Sequence, residues 1–182
     1  MLYIVSTYTK MTQPGYSDSF EFLPQGAIIK QFKVGGKNIV LGFPSASSYK
    51  SKNSPFTGET IGRYANRISN AKINVNGKSY QLNANNGPNM LHGGTQGWGR
   101  KDFEGPQPVI RDGRDAVMFK YLSLDGEEGF PGTVELRLWY YPSLVKEDGV
   151  EKTRLEIEYE VELVGSSSEN VEETAVSVTN HR

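Results

Sequence analysis

The chain has 182 residues, 36% hydrophobic and 23% charged, a length that suits one globular domain (residues 1–182) and leaves little room for two. With 20 Lys and Arg against 21 Asp and Glu it lacks the basic excess of a nucleic-acid binder, and the absence of cysteine excludes disulfides, thiolate metal sites and a cysteine nucleophile. No apolar run reaches the length of a membrane span, and the opening MLYIVSTYTK lacks the basic start and small-residue cleavage site of a secretory leader; with no cysteine, the reducing cytoplasm is the expected location.

Twenty glycines and nine prolines cut the chain into short pieces rich in Val, Ile, Phe and Tyr, which suit strands. In chain order, Phe32 to Leu41 predicts a hairpin around Gly35-Gly36, and Ile73 to Leu82 predicts one around Asn76-Gly77, the dipeptide that a type I′ turn needs. Leu136, Leu138 and Tyr140 alternate in a short run, and Asp148-Gly149 predicts the turn into the next strand. From Leu155 to Leu163 the alternation is complete: Leu155, Ile157, Tyr159, Val161 and Leu163 on one face, Glu156, Glu158, Glu160 and Glu162 on the other. Ser166 to Glu173 reads as a polar loop. No segment of helix length carries the helical period. The class is all-β and antiparallel, with sandwich and barrel left open by the hairpins themselves.

Charge is unevenly divided. Residues 1–124 hold 15 basic and 7 acidic side chains, residues 125–182 hold 5 and 14. Strands sharing one solvated glutamate face account for this more simply than a partner surface does.

Few residues carry chemistry. The two histidines are His92, in Asn89-Met90-Leu91-His92-Gly93-Gly94 just after an expected strand, and His181, at the end of the alternating run Ala175 to Asn180. Histidine exchanges a proton near neutral pH, although beside glycines it also serves as a hydrogen-bonded turn residue. Two histidines alone do not make a metal site, so none is expected. In Gly62-Arg63-Tyr64-Ala65-Asn66-Arg67-Ile68, the Asn66-Arg67 pair offers planar, multi-donor hydrogen bonding suited to vicinal hydroxyls or a carboxylate, or else ties down a loop. Asp125 to Gly132 (DGEEGFPG) lacks the ligand spacing of a calcium loop and reads as a shaped turn. There is no G-x-G-x-x-G, no Walker A and no G-x-S-x-G.

The ordered motifs GETIGRYANRI (58–68), NGKSYQL (76–82), NMLHGG (89–94), DGEEGFPG (125–132) and VTNH (178–181) resemble the aldose 1-epimerase, or galactose mutarotase, family. They cover most of residues 58–181, and the first 57 residues are compatible with that family's opening hairpins. The resemblance implies an antiparallel β-sandwich of the galactose mutarotase-like type, here an incomplete supersandwich. It implies an isomerase that interconverts the α and β anomers of free hexoses such as glucose and galactose, with no metal or other cofactor. An acid protonates the ring oxygen, a base takes the anomeric hydroxyl proton, and the open aldehyde turns before the ring recloses.

Carried over by motif, His181 matches the general acid, His92 a histidine that hydrogen-bonds the sugar around the reacting oxygens, and Arg67, with Asn66 beside it, the arginine that holds sugar hydroxyls. The family's general-base glutamate and a sugar-binding aspartate lie beyond the TNH motif, so a fragment of a longer mutarotase is expected. Glu127 or Glu128 is the candidate substitute for the base. After HGG this chain reads Gly97-Trp98-Gly99-Arg100 and then Phe103, where the family usually has Gly-Phe-Asp-Lys and then Trp. The expected partner is a free aldose, not nucleic acid or a membrane, with the oligomeric state open. Two alternatives are a non-catalytic carbohydrate-binding sandwich and a hexose-6-phosphate relative, the latter requiring a phosphate cluster at Arg100-Lys101.

Overall fold

A computed structural model describes residues 3–5, 8–12, 19–50, 55–165 and 171–181. A five-stranded antiparallel meander comes first: β1 (Tyr3–Val5), β2 (Tyr8–Thr12), β3 (Ser19–Leu23), β4 (Ile28–Val34) and β5 (Lys37–Asn38), in that spatial order. A single helical turn, α1 (Ala46–Tyr49), and two short pairs follow: β6 (Thr60–Ile61) with the late strand β13 (Thr179–Asn180), and β7 (Lys72–Val75) with β8 (Lys78–Gln81). The second large sheet contains β9 (Glu104–Arg111), β10 (Arg114–Ser123), β11 (Val134–Glu147) and β12 (Val150–Leu163), in the spatial order β12-β11-β10-β9.

The inner faces of the two large sheets share one core, which makes the architecture the expected antiparallel sandwich. Phe20, Phe22 and Ile29 from the first sheet cluster with Val117, Phe119, Leu136, Leu138 and Tyr140 from the second. Phe22 stacks on Tyr140 with centroids 4.4 Å apart, and the Tyr140 hydroxyl, which burial obliges to find a partner, donates to the Ala27 carbonyl at 2.6 Å. The apolar face of β12 packs half-buried against the same core.

The outer face of the second sheet explains the charge asymmetry. The glutamates of β12 meet cations from the neighbouring strands: Arg111 pairs with Glu158 and Glu160, Arg114 with Glu156, and Arg137 with Glu160 and Glu162. Arg111 and Arg114 also lie over the rings of Trp139 and Tyr141, 3.7 and 4.0 Å from the centroids, so that these outward aromatics are only 6% and 2% exposed. The acidic row is therefore neutralised within the sheet.

Turn chemistry matches expectation at Asn76-Gly77 (φ 46° and 72°) and at Asp148-Gly149 (φ 52° and 78°). Elsewhere the sequence pattern is corrected. The second run of the Gly35-Gly36 hairpin stops at Asn38, because the Asn38 carboxamide oxygen itself accepts the Phe32 N–H at 3.0 Å and ends the ladder; Leu41 is left 83% exposed. The alternation from Ala175 pairs as a strand only at Thr179–Asn180, with a single parallel bridge from Ser177 to Tyr64, and what precedes His92 is a tight Asn86–Asn89 hairpin rather than a strand of length. The strand around Leu136–Tyr140 extends over Val134–Glu147, longer than its alternating run. Of the polar loop, residues 166–170 lie outside the described residues.

Candidate active site

The β6–β13 pair builds one wall. Thr179 faces Ile61 and Asn180 faces Thr60. His181 then donates its backbone N–H to the Glu59 carbonyl at 2.9 Å, and its own carbonyl accepts from Gly58 at 2.6 Å. The Asn180 carboxamide donates to the Gly58 carbonyl at 2.9 Å, so the residues of the TNH motif are fastened to residues 58–61.

His92 comes from the opposite side, on a tight loop in which it has φ +53°, a left-handed conformation rare for a residue with a Cβ. The loop must approach the Gly62 backbone closely: a Cβ built on Gly93 would lie 1.7 Å from the Gly62 oxygen. The His92 Nδ1 lies 2.5 Å from the Ala65 carbonyl oxygen. A carbonyl only accepts, so Nδ1 carries the proton and Nε2 of the neutral ring keeps a free lone pair. Burial pushes the His92 pKa below its ordinary value; the Ala65 hydrogen bond opposes this, and the charges of His181 and Arg67 add to it.

The two imidazoles meet with centroids 5.2 Å apart and planes at 86°. Phe56 touches both, at 4.9 Å from His92 and 5.9 Å from His181. Behind Phe56 the Arg100 guanidinium lies 4.6 Å from the ring centroid and pairs at 3.1 Å with the fully buried Glu59. This pairing explains the departure at Gly99, where a Cβ would come within 2.3 Å of the Glu59 carboxylate. Phe56 and Arg100 also line a cavity of about 690 Å³ together with Gln25, Lys50, Asn85 and Gln96.

Arg67 is exposed, and its Nε–H donates to the Asn86 carboxamide oxygen at 3.1 Å, leaving the outer guanidinium nitrogens of the fork for a ligand. The Asn66 side-chain oxygen accepts the Arg67 backbone N–H at 2.8 Å, so part of its capacity is spent on the local turn. Among the four residues expected from the sequence, His92 and His181 are in ring contact, and the charge of Arg67 reaches His92.

The other arginine of GRYANR differs altogether. Arg63 is 2% exposed, and its guanidinium donates to the carbonyls of Ser123, Leu124, Pro131 and Gly132 and to the hydroxyls of Ser123 and Thr174. Burial lowers its pKa to about 10. The two candidate base carboxylates are also engaged. Glu127 accepts from the Tyr121 hydroxyl at 2.9 Å and pairs with Lys101 at 3.2 Å, while Glu128 accepts the backbone N–H groups of Thr95 and Gln96 and the Asn83 carboxamide. No cluster of three or more His, Cys, Asp or Glu able to hold a metal occurs among the described residues.

Sequence reasoning missed Phe56, Glu59 and the interior role of Arg63. The one available signal was the run of glycines at 58, 62, 93, 94 and 99, each marking a close approach of another chain segment.

The sequence profile of aldose 1-epimerase matches residues 13–182. The chain is 40% identical over 159 residues to a Pachysolen tannophilus protein named Bifunctional protein GAL10, covering 86% of this chain and 22% of that protein. It is 37% identical over 153 residues to the Bos taurus Galactose mutarotase, covering 84% of this chain and 39% of that one. The chain thus spans about two fifths, or less, of the curated relatives it matches. Among solved structures, a Caenorhabditis elegans GalM/aldose epimerase homologue superposes with a TM-score of 0.72 at 24% identity, covering 97% of this chain and 50% of that one. The galactose 1-epimerase of Lactobacillus acidophilus gives 0.64 at 25% identity, covering 77% and 42%. Profile and relatives agree, and this chain belongs to the aldose 1-epimerase family.

Proposed function

We propose that this chain, read as one sandwich domain, supplies the acid and sugar-holding part of a mutarotase site that interconverts the α and β anomers of a free hexose such as galactose or glucose. The observation that carries the reading is the edge-on contact of His92 and His181, 5.2 Å between centroids, with the charge of Arg67 felt at His92. In this reading His181 protonates the ring oxygen. Neutral His92 accepts a sugar hydroxyl hydrogen bond at Nε2, and Arg67, with Asn66 beside it, holds further hydroxyls. Opening then requires a carboxylate to take the anomeric proton, a part the resemblance gives to a glutamate C-terminal to the TNH motif. The lack of cysteine favours the cytoplasm, and no helix among the described residues is long and apolar enough to cross a membrane. The hexose-phosphate alternative is disfavoured, because Arg100 is paired with Glu59 and Lys101 with Glu127.

Calorimetric titration with D-galactose tests the reading. Saturable binding that His92→Ala and Arg67→Ala weaken is the expected outcome, and a folded chain that fails to bind overturns it. Polarimetry of fresh α-D-galactose separates catalysis from binding. Acceleration abolished by His181→Ala would mean that a base acts within the chain or across a dimer; binding without acceleration limits the chain to the acid and binding groups.

A further inference from the structure

The carboxylate of Glu128 has a task unrelated to proton abstraction. Its Oε1 accepts the Gln96 backbone N–H at 2.7 Å, and its Oε2 accepts the Thr95 N–H at 3.3 Å and the Asn83 side-chain amide at 3.0 Å. Gly94 leaves the space: a Cβ there would lie 2.2 Å from Oε2. The loop from Leu91 to Trp98 is tied at one end by the Asn85 carboxamide, which bonds both the N–H and the carbonyl of Leu91, and at the other by Trp98 N–H to the Gly62 carbonyl. Between those anchors, the amides of Thr95 and Gln96 are taken by Glu128.

These contacts form a closed ring. Arg63 grips the carbonyls of Leu124, Pro131 and Gly132, on both sides of the turn that carries Glu128. Glu128 grips the loop that carries His92, and the His92 Nδ1 returns to Ala65, two residues from Arg63. His92 holds φ +53°, and a non-glycine residue stays in that region only where its surroundings over-determine it. We propose that Glu128 is a positioning residue, whose carboxylate fixes the backbone of the His92 loop so that the imidazole meets the Ala65 carbonyl and turns Nε2 toward the sugar. The positioning for sugar rests on the function proposed above; the hold on the ring does not.

The protein has only two histidines, so nitrogen-15 NMR of the imidazoles resolves His92 cleanly. Wild type is expected to show one His92 tautomer, with the proton on Nδ1. Glu128→Gln, which turns an N–H donor against donors, and Glu128→Ala are expected to lose that single-tautomer signature and give a mixture. An unchanged His92 signature in a folded variant overturns the proposal. Should both variants fail to fold, the wild-type protein still decides: the Gln96 amide, held by the carboxylate at 2.7 Å, must be protected from hydrogen exchange, and free exchange there overturns the proposal. Galactose titration of the same samples keeps the two readings apart, since a lost tautomer signature in a chain that never bound galactose would sink only the sugar reading.

Discussion

His92 and His181 lie edge to face at 5.2 Å although one arrives on a tight glycine loop and the other at the end of a two-residue strand. Phe56, itself at φ +63°, is the ring both lean on. Neutral nitrogen in a partly dry setting is the chemical product of this contact.

The pH dependence of stability follows from it. His92 titrates below its ordinary value near 6.5 because of burial, so between the two values the unfolded chain binds a proton that the folded chain does not. Its contribution is present above the ordinary value and lost as pH falls through the depressed one. The Tm advantage of wild type over His92→Gln is expected to be larger at pH 7.5 than at pH 5. An advantage that grows on acidification would contradict this.

Arg63 and Arg67 are expected to fail in different ways. Arg63→Met strips the partner from four carbonyls and two hydroxyls and should cost about 3 kcal/mol or more in urea unfolding, with Arg63→Lys recovering little because one ammonium cannot span the fork. Arg67→Ala, at an exposed site, should leave the urea midpoint nearly unchanged and weaken galactose binding about tenfold or more.

Asn86 orients Arg67 through the Nε–H bond of 3.1 Å. Asn86→Ala is expected to weaken galactose binding about threefold to tenfold by calorimetry, from a loss of about 1 kcal/mol. Combined with Arg67→Ala it should add almost nothing, since both act through one guanidinium.

Glycine replacements separate close approach from turn preference. Gly93→Ala drives a Cβ to 1.7 Å from the Gly62 oxygen and is expected to abolish the cooperative melt. Gly36→Ala meets nothing within 4 Å and carries only the strain of φ +79°, about 1 kcal/mol.

Strands with an uninterrupted period of two, and turns with Asn-Gly or Asp-Gly, were legible from sequence because both are local properties. The motifs also singled out His92, His181 and Arg67, and of these the structure brings the two imidazoles into ring contact. The difference between Arg63 and Arg67 was not legible: two arginines in one heptapeptide look alike until Ser123 to Gly132 folds over one of them. Glu59 gave no signal either, because its burial depends on Arg100, far along the chain. Glu128 was read correctly as part of a shaped turn, but the amides it serves belong to another loop. What sequence withholds here is long-range polar pairing, which has no period.

The arginine roof over Trp139 and Tyr141 bears on the order of assembly. The β11–β12 hairpin is closed by a two-residue turn, as β9–β10 is, yet residues 134–163 hold eight acidic and four basic side chains. Alone, that hairpin repels itself along its outer edge and leaves two large rings wet. Arg111 and Arg114 arrive from β9 and β10, so this locally closed hairpin matures only when its upstream neighbours dock. Refolding should accordingly speed up with moderate salt, which screens the hairpin before its cations reach it.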